Sequence, residues 1–129
     1  RGSARAERLG MAERAWPIQL IFKSAERELR VTFEGGEERR IPFELLRVES
    51  PSAEVQGHGP GQKKWLTGKD AVEVTAADPV GRYAVRLTFS DGHDSGIFSW
   101  DYLYELGEDP EARLAEHHDA AANATGRSR

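Results

Sequence analysis

One pattern in this chain is written twice. Val31-Thr32-Phe33, followed by Gly36, Ile41 and Phe43-Glu44-Leu45-Leu46, returns as Leu87-Thr88-Phe89, followed by Gly92, Ile97 and Trp100-Asp101-Tyr102-Leu103. The copies lie 56 residues apart in their strands and 57 apart in their helical segments, which places one inserted residue between strand and helix. Each copy alternates apolar and polar residues, turns at glycine, and then shifts to helical spacing. A chain written this way predicts two units of strand, hairpin turn, strand and short helix. The expected class is α+β, a small β-rich domain.

The remaining elements follow from local signals. Ile18 to Phe22 reads as a first strand, Glu28 to Phe33 puts Leu29, Val31 and Phe33 on one face, and Gly35-Gly36 offers the hairpin turn before Arg39 to Ile41. Pro42 to Arg47 reads as a short helix ended by Ser50-Pro51. Ala71 to Thr75 and Tyr83 to Phe89 are expected strands, with Asp78-Pro79-Val80-Gly81 as the turn between them. Gly96 to Phe98 follows the Asp91-Gly92 turn, and Ser99 is the expected N-cap of a helix from Trp100 to Leu106 that stops at Gly107. Asp109-Pro110-Glu111 opens one more helical pattern.

Of 33 large apolar residues (Val, Ile, Leu, Met, Phe, Trp, Tyr), 29 fall between Ile18 and Gly107, leaving 4 for the flanks. The folded domain is therefore expected over residues 16–107. Residues 1–15 are expected to be a vector remnant and a structureless start around Met11. Residues 108–129 are expected to be a frayed helix and a disordered tail, with too little apolar surface to offset the entropy of ordering. The chain has 129 residues, a formal net charge of −4 and no cysteine. A core of this size needs no disulfide or structural metal. The charge disfavours nucleic acid and anionic lipid as partners. No run approaches the roughly 18–20 apolar residues of a membrane span, and no leader pattern opens the chain. The expected location is cytoplasmic.

Chemistry-bearing segments are few. Gly57-His58-Gly59-Pro60-Gly61-Gln62-Lys63-Lys64 is too rich in glycine for a helix or a central strand. It lacks the spacing of a phosphate-binding P-loop, so it reads as a connector, or as a loop presenting His58, Lys63 and Lys64 through the exposed backbone of Gly57, Gly59 and Gly61. Asp91-Gly92-His93-Asp94 is a hairpin turn whose imidazole is flanked by two carboxylates, a candidate weak metal site. His117-His118-Asp119 has the spacing of an iron facial triad, without the barrel such a triad requires. No nucleophile elbow and no zinc-protease motif occurs.

The runs Leu45 to Val55, Gly57 to Gln62, Gly81 to Val85 and Phe89 to Leu103, in that order, resemble an uncharacterised bacterial family, DUF971. That family is similar to the N-terminal domain of γ-butyrobetaine and trimethyllysine dioxygenases, and is found fused to Mrp-type iron–sulfur scaffold ATPases. The resemblance covers about Trp16 to Leu106. It implies a small β-rich module whose zinc is held by three cysteines and one histidine. The cysteine positions fall here on Ser50, Ser52 and Val55, and the histidine on His93. Neutral hydroxyls are poor zinc ligands and valine is none, so folding is expected to need no cofactor.

The expected function is a non-catalytic accessory or protein-interaction domain, linked through the family fusions to iron–sulfur or carnitine-related metabolism. Its expected partner is another protein. The alternative is a metal-binding protein holding iron or zinc weakly through His58 and His93, with Asp91 or Asp94.

Overall fold

The computed structural model describes residues 16–59 and 61–126. β1 (Pro17–Lys23), β2 (Glu28–Phe33) and β3 (Glu38–Pro42) form one antiparallel sheet in that order. Two short helices follow, α1 (Phe43–Val48) and α2 (Ala53–Gln56). A second antiparallel sheet contains β4 (Val74–Val80), β5 (Ala84–Phe89) and β6 (Gly96–Ser99). It leads into α3 (Trp100–Leu106) and α4 (Pro110–Gly126). The period-two faces expected from sequence point inward: Leu29, Val31 and Phe33 meet Val85, Leu87, Phe89 and Phe98, and α1 and α3 close the same core with Phe43, Leu45, Leu46, Leu103 and Leu106. Ser99 caps α3 by accepting from the Tyr102 amide at 3.1 Å.

The written repeat is a structural repeat, down to its hydrogen bonds. Phe33 N donates to Glu37 O at 2.8 Å, and Phe89 N donates to His93 O at 2.9 Å. Phe43 N donates to Arg27 O at 2.9 Å, and Trp100 N donates to Tyr83 O at 3.1 Å. Even the irregularity in the first strand recurs, at Pro17/Gln19 and at Val74/Ala76. The ladders correct one detail of the alignment. Ile41 pairs with Leu29, and Phe98 pairs with Val85, so Ile41 corresponds to Phe98 rather than to Ile97. The inserted residue thus lies in the second hairpin just after His93, not between strand and helix.

The two units close over each other reciprocally. Ser50 follows α1 as Gly107 follows α3, and Gly96 stands in β6 where Arg39 stands in β3. A β-carbon at Gly96 would collide with Ser50 Oγ, and one at Gly107 would collide with the Arg39 side chain. Each helix end therefore presses on the other unit's third strand.

Two expectations from sequence change. The strand expected over 71–75 lies at Val74–Val80, so Asp78-Pro79-Val80 is strand and the turn falls at Gly81, whose φ is +59°. Proline is tolerated there because β4 is an edge strand. The second change is at the end of the chain. α4 runs from Pro110 to Gly126, through the stretch expected to hold a frayed helix and a structureless tail, and it is docked: His117 and Ala121 are buried, and Leu114 packs against the core. This i, i+3, i+7 stripe escapes a count of large apolar residues because its members include a histidine and an alanine. Residues 1–15 and 127–129 lie outside the described part. Truncation after Asp119 is expected to cost about 1 kcal/mol, lowering the melting temperature by about 3–5 °C in a thermal scan. An unchanged melting temperature would show that Ala121 adds nothing.

Candidate functional site

The polar centre of the molecule is a buried cluster beside the second hairpin. Ser50-Pro51-Ser52 leaves α1 and enters α2, with Ser50 fully buried and Ser52 nearly so. The hydroxyls of both serines meet His93 Nε2, at 2.9 Å from Ser50 and 3.4 Å from Ser52. The other ring nitrogen, Nδ1, lies 2.9 Å from the exposed carboxylate of Glu54. A carboxylate only accepts, so Nδ1 carries the proton and Nε2 receives the serine O–H groups. Burial and the nearby Arg47 guanidinium hold the His93 pKa below its ordinary 6.5, so the ring is neutral.

The turn that carries His93 is fixed by charge. Asp91 accepts from Arg47 Nε at 2.8 Å, from Lys69 Nζ at 2.7 Å and from the His93 amide at 3.1 Å. Burial alone would raise the Asp91 pKa, but these three donors together hold it well below the usual carboxylate range. Gln56 donates to Ser50 O at 2.9 Å, and Tyr102 O–H donates to Glu49 O, tying α2 and α3 to the same segment.

Because His93 is held neutral, acid favours the unfolded chain, whose free imidazole takes a proton near pH 6.5. Stability is therefore expected to fall as pH drops below about 6.5 and to level off once the lowered folded pKa is passed. Urea melts of wild type and His93→Gln between pH 7 and 5 check this. An equal slope in the variant would assign the acid sensitivity to other groups.

Ser50, His93 and Glu54 line up hydroxyl, imidazole and carboxylate in the order of a serine hydrolase relay. Access forbids that use. Ser50 has no exposed surface, and its Oγ faces the Cα of Gly96. Two cavities, of about 420 Å³ against Glu44, Leu66 and His118 and about 370 Å³ against Lys63, Trp65 and Arg113, are lined by neither Ser50 nor His93.

The four positions that the resemblance assigns to zinc do come together in part: Ser50 and Ser52 converge on His93, and Val55 is buried one turn further along. Their donors do not fit the ion. Both hydroxyls spend their protons on the imidazole, and valine offers nothing. Among the described residues no group of three or more His, Cys, Asp or Glu is placed to hold a metal. His58 is exposed on its loop, where its amide donates to Gln62 Oε1 at 3.1 Å, and Asp94 is likewise exposed. Asp91 is committed to its cations rather than turned toward a shared site with His93.

The glycine-rich loop is held at two points, Gly57 and Lys63. Gly57 has φ +76°, and a β-carbon there would collide with Gln62. Lys63 is held by Glu49 at 2.8 Å and lies over the Trp65 ring at 4.4 Å. His58, Gly61 and Lys64 are exposed, and Gly59 is half-buried. His117 and His118 do not converge: His117 Nε2 donates inward to Leu66 O at 2.7 Å, while exposed His118 meets Glu44 at 2.7 Å. Sequence reasoning missed Glu54, which meets the His93 ring at Nδ1, and Arg47, which acts on it through charge and through Asp91; only their positions near Ser50 and Ser52 hinted at it.

Comparison with known proteins agrees with this architecture. Residues 20–104 match the family described as γ-butyrobetaine hydroxylase-like, N-terminal. A crystal structure of a protein of unknown function of the DUF971 family, from Acidithiobacillus ferrooxidans, is 40% identical with a TM-score of 0.62, covering 74% of this chain and 96% of that one. Two proteins solved by NMR are 40% and 41% identical, with TM-scores of 0.75 and 0.72. The first comparison covers 92% of this chain and 88% of the other, the second 85% and 86%. No curated protein matches. With two thirds of its length matched by the family and its fold shared at 40% identity, the chain belongs to the γ-butyrobetaine hydroxylase-like N-terminal (DUF971) family.

Proposed function

We propose that this chain is a non-catalytic protein-interaction domain that receives its partner on the outer face of the second sheet. The observation that carries the reading is a contrast the repeat provides. Lys23, Arg27 and Arg40 in the first unit correspond to Val80, Tyr83 and Ile97 in the second. The fold accepts charge at these positions in one copy, so stability does not demand apolar side chains in the other. Yet Val80, Tyr83 and Ile97 are 38%, 68% and 47% exposed. Exposed apolar groups that the fold does not need mark contact surfaces. On this face Val80 is paired with the small Ala84, and Ile97 lies in the next row, across Arg86 from Asp78. The family fusions support a partner in iron–sulfur or carnitine-related metabolism and a cytoplasmic setting.

Affinity capture from the native host, run in parallel with wild type and Val80→Lys/Ile97→Arg, tests the placement. The double variant installs the residues that the first unit already carries, so its melting temperature should stay within about 2 °C of wild type. Wild type should retain a protein that this variant loses. A partner retained equally by both would overturn the assignment of this face.

A further inference from the structure

We infer that a second copy of this chain pairs its β1 with the free edge of β1, antiparallel about a two-fold axis at Ile21, so that two three-stranded sheets become one of six strands. β1 and β4 are the first strands of their sheets, lie at an edge and occupy the same place in the repeat. Edge strands avoid further pairing by carrying charge or proline. β4 does so, with Asp78 and Pro79 near its end. The same two positions in β1 hold Ile21 and Phe22, the first 40% exposed, and no residue from Ile18 to Phe22 is charged. The second unit thus shows that the fold accepts an acid where the first exposes isoleucine. The edge of β1 is left open to pairing.

The strand itself selects both the partner and the register. The irregularity at Pro17/Gln19 leaves Ile18 without a counterpart in β2, so the regular part of β1 runs from Gln19 to Lys23 and has Ile21 at its midpoint. An antiparallel pair about that midpoint sets Ile21 against Ile21, Leu20 against Phe22 and Gln19 against Lys23. Each pair keeps to one face. Ile21 and Lys23 lie on the outer side with Arg30 and Glu28, and Gln19 with Thr32, whereas Leu20 and Phe22 lie with Val31 and Leu29 and pack against the core. Lys23, the one charge of the strand, meets a glutamine instead of a second lysine, so no like charges oppose each other. The Leu20–Phe22 pairs bring the two cores edge to edge, and the Ile21 pair covers an isoleucine that a monomer leaves to water.

Analytical ultracentrifugation of the full chain, from low micromolar to submillimolar protein, should show wild type in a monomer–dimer equilibrium. Ile21→Asp installs the residue that β4 already carries, and Ile21→Lys reverses its charge; each should sediment as a monomer with native circular dichroism, because each sets like charges on the axis. Mixed in equal amounts, the two variants should dimerise again, since aspartate then faces lysine. Cross-linking reads the register independently of those variants. The chain has no cysteine, so under mild oxidation Ile21→Cys should form a disulfide-linked dimer well before Gln19→Cys or Lys23→Cys, whose side chains oppose each other's positions and not their own. Val80→Lys/Ile97→Arg, on the other sheet, should dimerise as wild type does. Wild type that stays monomeric throughout the series would overturn the self-association. A dimer that survives both substitutions at 21, or is lost in Val80→Lys/Ile97→Arg, would place the contact elsewhere and overturn the assignment to β1. Failure of the mixture to dimerise, or faster cross-linking at 19 or 23, would overturn the two-fold at Ile21.

Discussion

Phe98→Ala is expected to destabilise the domain by about 3–5 kcal/mol in urea unfolding, while Ile97→Ala should change stability by less than about 0.5 kcal/mol. Adjacent residues of one short strand thus should differ several-fold in importance. Phe98 is fully buried, opposes Val85 across the ladder and stacks against Tyr102 with ring centroids 6.1 Å apart. Ile97 faces outward opposite Arg86. The pair also decides the register of the repeat, because Ile41, likewise fully buried, corresponds to only one of them. Comparable losses at 97 and 98 would refute the ladder that equates Ile41 with Phe98.

Asp91→Ala should cost about 3 kcal/mol, large for a residue in a hairpin turn. The cost comes from what remains. Arg47 is buried, its Nη1 already lacks a partner, and the substitution takes away the acceptor of its Nε. Lys69 loses its carboxylate and the His93 amide loses its cap at the same moment. Asp91→Asn keeps an acceptor oxygen for part of this set and should cost clearly less. A loss below about 1 kcal/mol for Asp91→Ala, measured by denaturant melts at pH 7, would show that water satisfies Arg47 once the carboxylate is gone.

Much of the fold was legible because periodicity and turn residues agree at each step. Leu29-Arg30-Val31-Thr32-Phe33 can serve only one buried face, and glycine at 36 and 92 marks where each hairpin reverses. Legibility failed where a local signal met a tertiary exception. Pro79 reads as a turn residue and sits in an edge strand; His117 falls in what reads as a frayed helix and lies buried against Trp65. Of the candidate site, His93 and its convergence with Ser50 and Ser52 were accessible through the family resemblance. The ring's environment was not, since the placement of Glu54 depends on α2, a helix of four residues too short to announce itself, and Arg47 acts through Asp91 on a hairpin 44 positions away. His58 and His93 look close in a list of histidines, but they belong to different layers of exposure.

The reciprocal closure of the two units has a consequence for how the chain reaches this state. Neither three-stranded sheet can finish its own core, because the residue that seals each hairpin comes from the other half: Arg47 reaches the second hairpin across 44 positions, and Tyr104 reaches Glu37 of the first across 67. Both loops must close before either half is rewarded, so the barrier contains almost the whole entropy of bringing the halves together. Native-state hydrogen exchange should accordingly show β2 and β5 opening with one common free energy, as a single cooperative unit rather than two. Folding should run on the millisecond-to-second scale of β-rich topologies, although most of its strands are joined by tight turns.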